Sequence, residues 1–415
     1  MKSLSKIGIL SLGCPRNLVD SEHILGQLKF HGHPIVDIQD ADIAVINTCA
    51  FIEDAKAESI QAILDLIELK KSGKLKKVIV YGCLAQRYQE KLRREFPEVD
   101  AFVGRSDLVE EPKRVALTPG HYAYLKICEG CLNNCSFCVI PKIKSTFRSL
   151  KISSVLKQAE GFNRQGLSEL NIIGQDITGY GLDLYGKFKL AQLVKSIARK
   201  SPRIGWLRLL YLYPSRVSDD LLKLIRDEPR LCKYIDLPIQ HINDRILKSM
   251  NRHTTKRCIL ELIERARKII PGVCLRTAII VGFPSETERE FKELLGFIKD
   301  VQFERLGAFV YSREEDTPAF SFPGQLNKKV KLARFDAVMS AQQEISRQVN
   351  LKFLGRTLKV LIDEKGNDYY IGRSEFDAPE VDGQVYVNSK RPFNPGDFVE
   401  VKITDTLEYD LVGKG

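Results

Sequence analysis

The chain has 415 residues, enough for two to four domains at roughly 150 residues each. Hydrophobic residues make up 44% and charged residues 28%, a globular balance that excludes a disordered chain. Lys and Arg number 64 against 53 Asp and Glu, and the excess of +11 points to a polyanionic partner such as RNA.

Near the N-terminus the apolar stretch Ile7–Gly13 runs directly into the polar segment Pro15–Glu22. It is too short for a secretory leader and reads as a strand of a cytoplasmic protein. No apolar run approaches the roughly 18 residues of a membrane span, so no membrane partner is expected. Cysteines in a reducing compartment serve more often as metal ligands or catalytic groups than as disulfides.

The fold class is α/β in three units. Over residues 1–110, Ile7–Gly13, Ile43–Thr48 and Val78–Gly82 are β-rich apolar runs. Ser21–Phe30 and Asp54–Lys70 between them have helical periodicity. That order predicts a small parallel α/β domain. Over residues 117–345, strand candidates are Tyr122–Ile127, Glu169–Ile173, Trp206–Tyr211, Tyr234–Pro238, Leu275–Val281 and Leu306–Tyr311. With helical patterns between them they predict a partial (βα) barrel whose chemistry lies at the C-terminal strand ends. Residues 327–352 read as a long polar connecting helix. Residues 350–415, with short strands and Gly and Pro turns, predict a small antiparallel β-barrel of five strands.

Ten cysteines carry the sharper signal. Cys131, Cys135 and Cys138 lie in one loop after the first barrel strand, close enough to converge on one metal centre. Zinc would take a fourth ligand such as Cys128. A [4Fe–4S] cluster on three thiolates would keep one iron open. Spacing leaves both readings available. Cys14, Cys49 and Cys83, in SLGCP, NTCAF and YGCLA, each follow one N-terminal strand. The C-terminal ends of parallel strands share one sheet edge, so topology alone predicts a second three-cysteine site. Cys232, Cys258 and Cys274 read as core residues.

The loop CEGCLNNCSFCVIP resembles the signature of radical S-adenosylmethionine enzymes. SLGCPRNLVDSE, NTCAF, YGCLAQR and the terminal β module (a TRAM domain) together resemble the methylthiotransferases over nearly the whole chain. SLGCPRNLVDSE is closer to the RimO branch, which modifies a ribosomal protein, than to the tRNA-modifying branch. The resemblance implies two [4Fe–4S] clusters, with S-adenosylmethionine as radical source and methyl donor. It implies an electron donor, and methylthiolation of an aspartate β-carbon in small-subunit ribosomal protein twelve. It also implies that Gln175 and Asp176, after the second barrel strand, contact the bound methionine. Arg208, Gln240 and His241 are further cofactor-binding candidates at barrel strands three and four. Gly282-Phe283-Pro284 resembles a family segment near the adenosine, with Ser285 where glycine is usual. Ser145 and Leu150 also depart from the family pattern, and no role is assigned to them.

Charge separates the candidate substrates. Residues 350–415 hold nine Lys and Arg against twelve Asp and Glu, a net of −3, and the remainder carries +14. An acidic module with Glu375, Asp377, Glu380 and Asp382 in one segment suits a basic ribosomal protein better than tRNA phosphates. On this reading, charge reversal at Asp377 and Glu380 weakens substrate binding, while the basic remainder meets ribosomal RNA. The alternatives are a tRNA methylthiotransferase acting on a modified adenosine and a non-catalytic iron–sulfur or zinc RNA-binding protein.

Overall fold

The computed structural model describes residues 4–105, 108–144 and 146–415; Ser145 lies outside them. Four parallel strands, β1 (Ile7–Ser11), β2 (Ile43–Thr48), β3 (Lys77–Gly82) and β4 (Ala101–Val103), pair in that order. Helices α1 (Pro15–Phe30), α2 (Glu53–Lys71) and α3 (Cys83–Glu95) connect them. Pro15 opens α1, where its fixed φ suits the first turn and its missing N–H removes no hydrogen bond. Ile46, Val78 and Val80 from the sheet pack with Ile63, Leu66 and Leu84 in one buried core. The sequence pattern did not show β4, because three residues are too few to display a period.

The central unit starts with β5 (Tyr122–Lys126). A two-residue pairing, β6 (Cys128–Glu129) with β7 (Arg148–Ser149), closes the base of the cysteine loop. Then come β8 (Glu169–Ile173), β9 (Trp206–Leu209), β10 (Tyr234–Asp236), β11 (Cys274–Val281) and β12 (Arg305–Val310). They form two parallel sheets, β5-β8-β9 and β10-β11-β12. Leu207 bridges the seam, donating to Arg230 O at 2.7 Å and accepting from Cys232 N at 3.0 Å. The result is the expected open barrel of six strands. Its lumen is filled by Tyr122, Tyr124, Trp206, Leu210 and Tyr234, with Val19 of α1 packed against them. The helix Lys328–Leu351 is more than a connector, because Val338, Ile345 and Val349 sit in the main barrel core. Cys232 and Cys274 are buried as expected, but Cys258 is exposed in the first turn of the helix Lys256–Ile269.

The last unit is a closed barrel of β13 (Thr357–Lys365), β14 (Tyr370–Ser374), β15 (Val385–Asn388), β16 (Phe398–Thr406) and β17 (Leu411–Lys414). Four of its pairings are antiparallel, and β15 with β17 is parallel. It packs on the N-terminal strand ends of the central barrel. Trp206 meets Phe398 edge-on at 4.9 Å, and His121 Nε2 lies 2.8 Å from Asp363.

This packing corrects the expectation that the acidic segment awaits a basic partner. Arg305 Nε and Nη2 both donate to Asp377 Oδ1, at 3.0 and 2.5 Å. Arg276 meets Asp382 at 3.3 Å, and the Tyr234 hydroxyl donates to Asp382 at 2.6 Å. Tyr122 donates to Glu380 at 2.9 Å, and the Lys233 amide to Glu375 at 3.1 Å. The carboxylates face the lower mouth of the barrel, where arginines of the strands neutralise Asp377 and Asp382 while Glu375 and Glu380 accept from an amide and a hydroxyl. The charge of this segment therefore does not identify a substrate, and reversing Asp377 disrupts folding before it disrupts recognition.

Removing one partner of a buried ion pair leaves the other charge uncompensated, at a cost of about 3–5 kcal/mol. Asp377→Ala is expected to lose that much stability in urea unfolding followed by Trp206 fluorescence. Exposed Glu400→Ala serves as the unchanged control. Equal midpoints for the two variants would refute the inward reading of the acidic segment.

Candidate active site

The upper edge of the N-terminal sheet gathers three thiols by backbone constraint. Cys14 is the N-cap of α1, Cys49 follows β2 directly, and Cys83 opens α3. Gly13, at φ 86°, lies so close to Cys49 that a methyl group on it would stand 2.7 Å from Cys49 Cβ and 3.0 Å from Sγ. Gly82, at φ 100°, is pressed against Asn47, where an added Cβ would meet Oδ1 at 2.2 Å. Each glycine immediately precedes a cysteine, and its missing side chain lets the strand ends converge. Asn17 ties the edge together, donating to Leu12 O and Thr48 O at 3.2 Å and accepting from Cys83 Sγ at 3.6 Å. Each of the three thiols lies within the electrostatic reach of another.

Their environments differ. Burial opposes ionisation of Cys14, but the charge and hydrogen bond of Arg16 outweigh it and hold the thiol below its ordinary pKa. Burial raises Cys49, and it pushes Cys83 up to about 12. Such desolvated thiols ionise when a metal takes the charge.

The second triplet lies at the opposite mouth of the barrel from the terminal module. The Asn133 backbone and side-chain amides both donate to Cys131 Sγ at 3.4 Å, and Arg252 Nη1 donates to Cys135 Sγ at 3.8 Å. Burial raises Cys131 and pushes Cys138 up to about 12. Among the described residues no three His, Cys, Asp or Glu side chains are grouped to hold a single metal ion. Thiolates on a cluster with its own bridging sulfides stand farther apart than ligands of one ion. The donor sets, three thiols in each, with side-chain donors aimed at Cys14, Cys131 and Cys135, fit a [4Fe–4S] cluster.

Between the triplets the sheet edge meets the barrel mouth through buried charge. Lys126 pairs with Asp20 and with Glu129 (2.5 Å), and Lys144 reaches the same two carboxylates at 3.2 Å. All four side chains are nearly inaccessible. Arg16 stands beside them, donating from Nε to Cys14 Sγ at 3.4 Å and from Nη1 to Gly174 O at 3.0 Å. Its guanidinium lies 4.3 Å from the centre of the Tyr211 ring. None of these residues was singled out from the sequence. The available signal was Lys126, at the same parity as Tyr122 and Tyr124 in a strand buried along its whole length.

The predicted cofactor residues divide. Gln175 Nε2 donates to Glu129 Oε1 at 3.0 Å, while its Oε1 is buried without a donor. That orphan acceptor suits an ammonium group such as the one S-adenosylmethionine carries. Asp176 is engaged by the protein: it caps the turn at Thr178 N (3.0 Å), accepts from Asn133 Nδ2 (2.8 Å) and pairs with Arg216. It therefore orients the cysteine loop through Asn133 and does not offer a free carboxylate. Arg208 is a correction, because it is fully buried at the lower mouth, bound to Glu169 (2.8 Å) and Glu375 O (2.7 Å). Gln240 holds a left-handed backbone at φ 71° and bridges to β11. His241 Nδ1 accepts from Asn243 N at 3.0 Å, and burial pushes its pKa down to about 4. It is neutral, and its Nε2 is buried without a partner. Ser285 also has positive φ, at 62°, where glycine is easier, and its amide donates to Gly324 O at 2.8 Å.

Comparison with known proteins places this geometry in a family. Residues 6–104 match the uncharacterized protein family UPF0004, residues 125–298 the Radical SAM superfamily and residues 354–415 the TRAM domain. The chain is 45% identical over 436 residues to the ribosomal protein uS12 methylthiotransferase RimO of Clostridioides difficile, covering 98% of both chains. It is 47% identical to the protein of that name from Caldanaerobacter subterraneus subsp. tengcongensis, covering 99% of this chain and 100% of the other. Among solved structures it resembles the radical S-adenosylmethionine methyltransferase TsrM of Kitasatospora setae, with cobalamin and a [4Fe-4S] cluster bound. The TM-score is 0.53 at 13% identity, covering 86% of this chain and 81% of that one. The cobalamin-dependent radical enzyme OxsB gives 0.51 at 14%, covering 82% and 56%. At these identities the likeness is one of fold.

The buried charges yield a stability test. Asp20→Asn leaves Lys126 and Lys144 with one carboxylate, and a loss of about 3–5 kcal/mol in denaturant unfolding is expected. Asp42→Asn, which breaks the more exposed pair with Lys76, is the reference. A loss no larger than the reference would show that the four charges are not mutually dependent.

Proposed function

The chain belongs to the RimO family of ribosomal protein uS12 methylthiotransferases, and on that premise we propose that it methylthiolates the β-carbon of an aspartate in uS12. It is a radical S-adenosylmethionine enzyme that transfers a sulfur-containing group. The observation that carries the reading is the pair of cysteine triplets brought to one interface, with Arg16 between them. Cys131, Cys135 and Cys138 hold a [4Fe–4S] cluster, and Cys14, Cys49 and Cys83 hold a second one. A bound cluster of this kind supplies the one-electron cleavage of S-adenosylmethionine that starts radical chemistry at an unactivated C–H bond.

The protein's own part is to bind, orient and exclude. Asn133 and Arg252 donate to the thiolates of Cys131 and Cys135 and fix the loop around them. Asp176 fixes Asn133 in turn. Gln175 offers its unpaired Oε1 to the amino group of the methionine moiety. The lower mouth is shut by the terminal module, so substrate approaches from the side of the cysteine loop and the N-terminal domain. A second S-adenosylmethionine provides the methyl group, and an external donor provides the electron. The enzyme acts in the cytoplasm on a ribosomal protein, and the basic body of the chain meets ribosomal RNA nearby. No helix among the described residues is long and apolar enough to cross a membrane.

Anaerobic reconstitution is expected to yield roughly eight irons and eight sulfides per chain, and about half of each when either triplet is replaced by alanine. Zinc without sulfide would overturn the reading. Reductive cleavage of S-adenosylmethionine is expected to vanish in Cys135→Ala. Mass spectrometry of ribosomal proteins and tRNA nucleosides, with and without the gene, is expected to find a lost methylthio group on uS12 alone. A change confined to tRNA would establish the other branch.

A further inference from the structure

The charges between the two triplets are not equivalent. Lys126 and Lys144 are matched by Asp20 and Glu129, so that group of four sums to zero. Among the described residues Arg16 has no carboxylate within salt-bridge distance. It meets a sulfur, a carbonyl oxygen and an aromatic face. Arg16 thus has Cys14 as its nearest acidic group, in a desolvated place where a charge acts at the greatest strength.

The barrel holds this guanidinium in place at a conformational cost. Tyr211, whose ring supports it, has φ 67°, a left-handed backbone that a bulky residue seldom adopts. Two hydrogen bonds fix that backbone: Tyr211 N donates to Asp236 Oδ2 at 2.9 Å, and Tyr211 O accepts from Ile177 N at 3.1 Å. Asp236 is itself held by Arg276 at 3.1 Å. Strain of this sort persists only where surrounding contacts over-determine it, and it gathers where a group must be pre-organised.

We propose that Arg16 is a positioning residue of the cluster site at Cys14, Cys49 and Cys83, and that its fixed charge and hydrogen bond to Cys14 raise that cluster's reduction potential. The inference rests on the two-cluster reading above. Reduction adds negative charge to a cluster, so a nearby cation and a hydrogen bond to its sulfur favour the reduced form. A role confined to clamping the domains together through Gly174 would leave the potential unchanged.

The test uses the full-length chain with Cys131, Cys135 and Cys138 all replaced by alanine, so that only the N-terminal cluster contributes. After anaerobic reconstitution, a redox titration followed by electron paramagnetic resonance gives its midpoint. Arg16→Gln is expected to shift the midpoint to a more negative value, and Arg16→Lys to restore most of the shift. An unchanged midpoint in Arg16→Gln, at equal iron content, overturns the proposal. If Arg16→Gln binds no iron, Arg16→Lys decides: a midpoint near the parent's supports the charge role, and a clearly lower one refutes it. Absence of iron and sulfide from the parent itself is a different failure. It refutes the second cluster, and this inference falls with it.

Discussion

Lys126, Lys144, Asp20 and Glu129 meet where the N-terminal sheet edge closes on the upper mouth of the barrel, and none can be left unpaired there. A buried ion without its partner is far more costly than a missed surface contact, so the four admit few arrangements of α1 against the barrel strands. The lower mouth is settled in the same way by Arg276 with Asp382 and Arg305 with Asp377. An open six-stranded barrel is exposed at both ends, and in this chain each end is closed by a domain attached through charge. Hydrophobic packing alone would hold the domains together without fixing their register.

That registration places the chemistry. Gly13 and Gly82 let Cys14, Cys49 and Cys83 share one edge, and the charges beneath that edge set it over the loop of Cys131, Cys135 and Cys138. Arg16 spans the junction, from the first turn of α1 to the carbonyl at the end of β8. Two cysteine triplets on separate domains could serve one reaction only if the domains keep a constant relation. Among the described residues Arg16 has no carboxylate within salt-bridge distance, whereas the neighbouring Lys126 and Lys144 are each matched by Asp20 and Glu129.

Where sequence reasoning went astray, it treated a residue's charge as if it faced solvent. Arg208 looked like a cofactor contact because it lies on a barrel strand, but its side chain runs to Glu169 at the start of β8 and to the terminal module. Glu375, Asp377, Glu380 and Asp382 looked like a surface for a basic protein, yet they bind the barrel's own arginines, hydroxyls and amides. Asp176 was legible as a polar residue after a strand, but not as an anchor of the cysteine loop through Asn133. Composition counts charges without recording which of them cancel inside the fold.

By itself the sequence determined the three-part order, the βα alternation and both cysteine triplets. The spacing of Cys131, Cys135 and Cys138 is local, and the placing of Cys14, Cys49 and Cys83 after parallel strands follows from topology. Local periodicity and chain direction suffice for both. Only the tertiary structure decided which mouth each domain covers, which carboxylates are neutralised and that Arg16 meets Cys14. These depend on contacts between residues far apart in the chain, such as Asp20 with Lys144 and Asp377 with Arg305, and on the desolvation that makes an unpaired charge intolerable there.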